Sequence, residues 1–349
     1  MSSAVAANAR VTMREIARVL GVSHVTVSLA LNNNPRISAA RRADVLRTAD
    51  RLGYRPDPML AALNHYRRTR RPAPIQAALG WLNFWRQPEQ LRRYGEFDGY
   101  WRGAAATAET HGYRLEEFAV ARLASPSRLL EILHARNIHG LLLPPAPRAG
   151  TLTVDTLPWA EFSVVSFGHS HTALGAPVVT ADQAAAASTA LRAMRARGYR
   201  RVGLATSEES LARTKFSAGF LQTQLELPVE ERLSILSSPT HEGPLAGEWL
   251  HEWVQRERPD AILTDLAALP AALDELGLRV PADIGLAALS VLDGKADAGI
   301  DQNAAEIGRV AAETLISLIN HAHRGLPAFH RHILVEGSWT DGSTLPRRL

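Results

Sequence analysis

Polar and aliphatic side chains alternate along one short stretch near the N-terminus: Ser23, His24, Val25, Thr26, Ser28 and Leu29, with Asn32 just beyond. Hydroxyl, imidazole and amide groups of this kind are good hydrogen-bonding groups, and no catalytic constellation surrounds them. The charge around them is more telling. Residues 1–72 hold 13 Arg and no Lys against Glu15, Asp44, Asp50 and Asp57, a balance of +9, whereas the remainder carries 26 basic and 31 acidic residues, or −5. Positive charge confined to one end is the electrostatic footprint of a module that binds a polyanion.

The elements that must position these residues are short helices. Thr12-Met13-Arg14-Glu15 has the form of a capping box, which starts a first helix running to about Leu20, with Ile16, Val19 and Leu20 facing inward. Gly21 supplies a turn, and Ser23 caps a second helix that ends near Leu31 or Asn32. Val22, Val27 and Leu31 seal it against the first, which leaves His24, Val25, Thr26, Ser28 and Leu29 on an exposed face. A third helix follows Ser38, turns Val45, Leu46, Ala49 and Leu52 inward, and stops at Gly53. Arg55-Pro56-Asp57-Pro58 then breaks the chain and starts a short helix over residues 59–65, which Asp57 can cap. A helix of that length lies below the ~12–15 residues an isolated helix needs in water. Arg67-Arg68-Thr69-Arg70-Arg71-Pro72 reads as a basic linker.

Past residue 75 the pattern changes. Apolar runs at 77–84, 140–143, 163–167, 201–205, 261–263 and 284–289 alternate with amphipathic segments at 99–111, 129–136, 182–197 and 304–323. Such alternation argues for parallel sheets with helices on both faces. A length of 349 residues suits two to three domains, and 46% hydrophobic with 21% charged residues is ordinary globular composition. The chain has no cysteine, which excludes disulfides, thiolate catalysis and Cys-ligated metal. No apolar run reaches the ~18 residues of a membrane helix, and MSSAVAANAR lacks the basic and apolar regions of a secretory signal. The expected compartment is the cytoplasm, with nucleoid association should the bound polyanion be DNA.

The stretch 11–66 resembles, without a gap, the lactose-repressor (LacI/GalR) family of bacterial regulators. The residues that carry this resemblance are Val11-Thr12, Ile16-Ala17, Gly21-Val22-Ser23, Thr26-Val27-Ser28, Leu31-Asn32, Ile37-Ser38 and Leu52-Gly53-Tyr54 with Pro56. The resemblance implies an all-α helix-turn-helix head with a hinge helix, joined to a two-lobed α/β core of the periplasmic-binding-protein type with parallel sheets. It implies that the second helix enters the major groove, with His24, Val25 and Leu29 as base readers. Thr12, Ser23, Thr26, Ser28, Asn32 and Tyr54 would mainly hold phosphates, which sets register without specifying sequence. Val25 could meet a thymine methyl. His24 could bond a base edge, contact a phosphate or face solvent. Leu29 stands where the family often has Arg. The family's hinge helix orders on the operator, pairs with its dimer mate and pushes a leucine into the minor groove; the matching position is Leu63, followed by Asn64 where Ala is common.

A weaker resemblance runs through the rest, carried by Gly198-Tyr199-Arg200-Arg201-Val202, Ala218-Gly219-Phe220, the stretch from Gly277 to Ile284, and Gln302. It implies two lobes joined by three crossovers with ligand between them, the first lobe over about 75–180 plus part of 300–325. The second lobe would span about 181–295 plus the C-terminal strand. The expected domains are 1–56 (head), 57–74 (hinge helix and basic linker) and 75–349 (effector binding and dimerisation). Departures fall where ligand should bind. Phe216 replaces an Arg, with Arg213 and Lys215 nearby; a loop contracts to Thr264-Asp265; and Ser290 replaces an Asp. Trp81, Asn83 and Trp85 at the end of the first strand suit a carbohydrate, since an aromatic face stacks on C–H groups while an amide takes hydroxyls. They suit a core or an interface equally.

His169/His171, His321/His323 and His330/His332 form three His-x-His pairs, without an acidic partner at a telling spacing, and are read as solvent-exposed rather than as metal ligands. No Gly-x-Ser-x-Gly, Walker or Rossmann glycine pattern occurs, and residues 293–299 read as a connecting loop. The expectation is therefore a non-enzymatic regulator without cofactor or metal, with three partners: double-stranded operator DNA, a second copy of itself and a small-molecule effector. Two other readings stand beside it: a DNA binder whose core has lost its ligand, and an enzyme or solute carrier on the same core.

Overall fold

The computed structural model describes residues 11–31, 37–54, 77–123, 125–147, 157–239 and 247–348. Asn32 and the whole expected hinge, with Leu63 and Asn64, lie outside them. The head comprises α1 (Met13–Leu20), α2 (His24–Leu31) and α3 (Ala39–Leu52). Its core is Ile16, Ala17, Val27, Ala30, Val45 and Ala49, edged by Leu20, Val22, Leu31, Ile37, Leu52 and Tyr54. Two expected inward residues are corrected: Val19 is 52% and Leu46 46% exposed. Three short helices bury one narrow stripe each, and these two fall outside it.

The remainder forms two six-stranded sheets. The first contains β1 (Ala77–Asn83), β2 (Tyr113–Ala119), β3 (Gly140–Leu143), β4 (Ser163–Phe167), β5 (Val178–Ala181) and β11 (His332–Val335) in the order β11-β5-β4-β3-β1-β2, with every pairing parallel. The second contains β6 (Val202–Ser207), β7 (Leu236–Ser238), β8 (Ala261–Thr264), β9 (Gly285–Ala288), β10 (Gly299–Asp301) and β12 (Ser338–Thr340) in the order β12-β10-β9-β8-β6-β7, parallel except for β10 against β12. Successive strand residues point to opposite faces, so each sheet carries two cores. In the first, Leu79, Trp81, Val165, Phe167 and Val179 meet α4 (Gly95–Thr110) and α11 (Ala304–Asn320), while Leu82, Leu141, Leu143 and Val164 meet α5 (Pro126–Ala135). In the second, Leu204, Leu263 and Ala287 meet α6 (Gln183–Ala196) and α8 (Phe216–Gln224), with Ile262 and Leu286 against α9 (Gly247–Glu257) and α10 (Leu269–Glu275). No helix among the described residues is long and apolar enough to cross a membrane.

The chain passes between the sheets three times: after Ala181, after Asp301 and after Val335. The second lobe therefore runs past the expected residue 295 through β10, and β11 adds a strand to the first, while β12, the C-terminal strand, lies in the second as expected. The second and third passages are tied together. Asn303, with the left-handed φ of 56° that Asn tolerates better than most residues, donates its amide to the Glu336 carbonyl at 2.7 Å. The helix expected from residue 99 begins at Gly95, and β2, β5, β7 and β10 were not anticipated from the apolar runs.

α4 and α11 pack backbone to backbone through glycine. A Cβ at Gly103 would fall on the Ala305 carbonyl, and one at Gly308 on that of Tyr100. Gly103→Ala, which would favour an exposed helix by ~1 kcal/mol, is therefore expected to lower stability by about 1–3 kcal/mol. Denaturant unfolding tests this, and a variant as stable as the wild type would refute the contact.

Candidate nucleic-acid interface and ligand cleft

The head is built so that α2 presents its first turn outward. Glu15 accepts from the Thr12 N–H at 2.6 Å and from its hydroxyl at 3.2 Å, closing the Glu15 half of the expected box, and Gly21 ends α1 with a φ of 64°. Ser23 Oγ accepts from the Thr26 N–H at 3.1 Å and shares a 2.9 Å hydrogen bond with Thr26 Oγ1. Ser23 and Thr26 therefore organise the start of α2. Val27 and Ala30 hold it to the head core, while His24 and Val25 are exposed and Ser28 and Leu29 are half-buried. Ser38 caps α3 by accepting from the Arg41 N–H at 3.3 Å, and Arg42 donates to the Ile37 carbonyl at 3.2 Å, which fixes the α2–α3 connection at its far end. Tyr54 packs at the edge of the same core. Arg47 pairs with Asp44 at 2.6 Å on an exposed face, while Arg14, Arg18, Arg41 and Arg51 are exposed without a carboxylate partner among the described residues. The base-reader positions thus lie on one surface, carried by a core that leaves their side chains available to meet another molecule.

The lobes meet through direct contacts on two sides of the cleft. Arg213, the last residue of α7 (Glu208–Arg213), is held by Glu209 at 2.6 Å and reaches the first lobe, donating to Ser170 Oγ at 2.6 Å and to the Ala146 carbonyl at 3.3 Å. Elsewhere along the cleft Asp293 of the second lobe accepts from the backbone N–H groups of Gly95 and, at 3.2 Å, Glu96. Tyr94 gives α4 no side-chain cap of its own. The carboxylate from the other lobe thus satisfies orphan N–H groups and sits at the positive end of the helix dipole. Below it, burial pushes the Glu96 carboxyl up to about 7, eased by the Ser290 hydroxyl and aggravated by Asp293 and Asp301.

The expected ligand residues divide accordingly. Arg213 and Ser290 lie along the interlobe surfaces, the latter beside Glu96, and Asp265 accepts from the Ser210 hydroxyl within the second lobe. Lys215 is exposed, its backbone N–H bonded to Gln183 Oε1 at 3.0 Å. Phe216 is buried in the second-lobe core. Trp81 is fully buried between Trp101 and Phe167, with ring centroids 5.4 and 5.2 Å away, and has no face to offer a sugar. Asn83 shapes the loop after β1: its amide donates to the Pro88 carbonyl at 3.0 Å and to Glu117 at 2.8 Å, and its oxygen accepts from the Trp85 N–H at 2.9 Å. Trp85 donates its indole N–H to the Pro145 carbonyl at 2.8 Å and stacks at a tilt on Tyr94.

The histidine reading is corrected at one position. His171 is buried against Phe84, its Nε2 at 3.0 Å from the Pro144 carbonyl, and burial lowers its affinity for a proton. His169 is half-buried and faces His332 at 6.0 Å between ring centroids. Among the described residues no group of three or more His, Cys, Asp or Glu side chains is arranged to hold a metal ion. Glu96 and Asp293 were missed altogether. Their one sequence signal was a helix start, Tyr94-Gly95-Glu96, without a capping residue of its own.

A helix-turn-helix head on a two-lobed, three-crossover α/β core defines the class of ligand-responsive DNA-binding regulators. Residues 12–57 match the model for bacterial regulatory proteins of the lacI family, and residues 191–345 that for the periplasmic binding protein-like domain. The HTH-type transcriptional regulator PtxS of Pseudomonas putida is 27% identical over 94% of this chain and 96% of its own. Among solved structures, the transcriptional regulator CelR–cellobiose complex superposes with a TM-score of 0.56 at 19% identity, covering 96% of this chain and 100% of that one. The lac repressor dimer bound to operator and an anti-inducer gives 0.54 at 18% identity, covering 97% and 99%. The chain carries a lacI-family DNA-binding head on a periplasmic binding protein-like core and is a transcriptional regulator.

Because its folded-state affinity for a proton is raised, Glu96 contributes stability that is present below its unfolded value of 4.5 and lost as pH climbs through about 7. Glu96→Gln is therefore expected to be more stable than the wild type at pH 8, an advantage that disappears at pH 4. Paired denaturant titrations at the two pH values test this; an equal difference at both would show that Glu96 does not titrate in this range.

Proposed function

We propose that this regulator is a cytoplasmic repressor that binds a near-palindromic operator as a homodimer, its affinity set by a small molecule held between the lobes. The observation that carries the reading is the outward first turn of α2 on an Arg-rich head, joined to a core of two lobes between which the chain crosses three times. In this reading residues 1–56 form the DNA-binding domain, 57–74 the hinge and linker, and 75–349 the effector and dimerisation domain. His24, Val25 and Leu29 read bases, while Thr12, Ser23, Thr26, Ser28, Asn32 and Tyr54 support backbone contacts. Leu63 wedges the minor groove beside Asn64.

Trp85, Arg213, Lys215, Asp265 and Ser290 supply the effector's surroundings. A carbohydrate effector is favoured by the likeness to a regulator solved with cellobiose and by the aromatic and hydroxyl-binding groups along the cleft. Control follows from the hinge: a ligand that alters the separation of two cores need only oppose a marginal helix.

A second reading, that the core has lost small-ligand binding, rests on Phe216 in the core and on Arg213 and Asp293 bonded directly across the lobes. Calorimetry against a panel of sugars and metabolites separates the two. Heat of binding that disappears in Asp265→Ala supports an effector site, and silence across the panel supports the second reading.

Selection of DNA from a random library by the full-length protein, at about 150 mM salt so that non-specific attraction is screened, is expected to give a palindromic motif with one preferred centre. On that operator Leu63→Ala should weaken binding and reduce the bend in a gel-shift titration. Unchanged affinity and mobility would remove the wedge from the mechanism.

A further inference from the structure

The exposed face of α2 is chemically one-sided. The helix reads His-Val-Thr-Val-Ser-Leu-Ala-Leu and contains no Arg, Lys, Asn, Gln, Asp or Glu. Thr26 is drawn into the cap with Ser23, and Val27 and Ala30 are buried. Besides the half-buried hydroxyl of Ser28, which the reading above gives to the DNA backbone, what remains for the groove is the exposed imidazole of His24, the 52% exposed Val25 and, one turn further along, the half-buried Leu29. Bidentate reading of guanine requires Arg or Lys, and of adenine Asn or Gln. This helix offers neither. The major groove displays one apolar group on its base edges, the C5-methyl of thymine.

Resting on the operator-binding reading above, we infer that α2 recognises its half-site chiefly through thymine methyl groups met by Val25 and Leu29, with His24 as the single polar reader. Val25 and Leu29 are separated by four helical residues, a rise of about 6 Å. That spans about two base steps at 3.4 Å each, so the two methyls belong to closely spaced positions of one half-site. The exposed arginines Arg14, Arg18, Arg41 and Arg51 lie on α1 and α3, outside the reading helix. Their attraction is to phosphate and carries no sequence information. Affinity and specificity are thereby divided between different helices: charge on the flanking two, methyl-sized complementarity on the reader.

The test uses the full-length protein and its selected operator. Binding of the unmodified duplex establishes the operator reading independently of this one. Each thymine is then replaced in turn by deoxyuridine, which keeps every hydrogen-bonding group and removes only the methyl. One or two closely spaced thymines per half-site should each weaken binding about fourfold, the equivalent of about 0.8 kcal/mol for a buried methyl-sized group. Val25→Ala should erase the thymine–uracil difference at one of these positions and Leu29→Ala at the other. Where cytosine replaces such a thymine, 5-methylcytosine should recover part of the lost affinity. The inference is overturned if the unmodified operator binds specifically and no deoxyuridine substitution changes Kd. It is equally overturned if the thymine–uracil difference survives in both variants. The deoxyuridine series needs no altered protein, so its outcome stands whatever the variants do to the fold.

Discussion

The two lobes depend on a helix that cannot finish its own start. α4 opens at Gly95 with backbone N–H groups that no neighbouring side chain satisfies, and a carboxylate almost 200 residues away in sequence, Asp293, completes them from the other lobe. Orphan donors at a helix N-terminus must find a partner or water, and a carboxylate there also gains from the helix dipole. The contact therefore belongs to one relative placement of the lobes. Opening the cleft at this point would return the N–H groups and the Asp293 carboxylate to solvent and remove the helix end that compensates that charge. Arg213 makes the corresponding link through Ser170 and Ala146. Lobe position is thus coupled to a small number of polar contacts, whose loss or replacement by a ligand changes the balance between arrangements.

The glycine-mediated seam between α4 and α11 makes that coupling mechanical. With Gly103 and Gly308 allowing the backbones to touch, the two helices behave as a single block on one face of the first sheet. α11 begins directly after the second crossover, at Asn303, which is bonded to the third crossover at Glu336. A displacement at the Asp293 end of α4 is therefore delivered to the connections between the lobes, because a tightly packed helix pair moves as a body.

The head was legible almost residue by residue because its signals are local. Thr12 and Glu15, Gly21, Ser23, Ser38 and Gly53 announce each helix end within a few positions, and the structure places the ends there. The parallel core was legible where strands are continuous apolar runs, as at Gly140–Leu143 and Ser163–Phe167. It was not legible at β2, whose Tyr-Arg-Leu-Glu-Glu-Phe-Ala sequence is an edge strand with polar residues turned outward, nor at the short strands β5, β7 and β10. The ligand cleft was the least readable part. Trp81 and Asn83 have side chains that suit a sugar, yet packing assigns the first to the core and the second to a loop. Glu96 and Asp293 acquire their roles only when distant segments meet, and no spacing rule reports that.

The division between head and core also fits the division of charge. The core's balance of −5 disfavours contact with DNA over most of its surface, so the +9 confined to residues 1–72 determines which end approaches the duplex. Long-range charge of this kind raises encounter rates and non-specific affinity but cannot distinguish one sequence from another. Discrimination has to come from short-range fit to base edges and from how readily the DNA deforms, which the proposed reading assigns to α2 and the hinge. If α2 is the reader, a helix without charge gains from an Arg-rich surround, because charge holds the head on DNA while weak, shape-dependent contacts select among sites. In the proposed homodimer the same arrangement would make the complex responsive to the core, since contacts worth little individually are easily outweighed when the lobes shift.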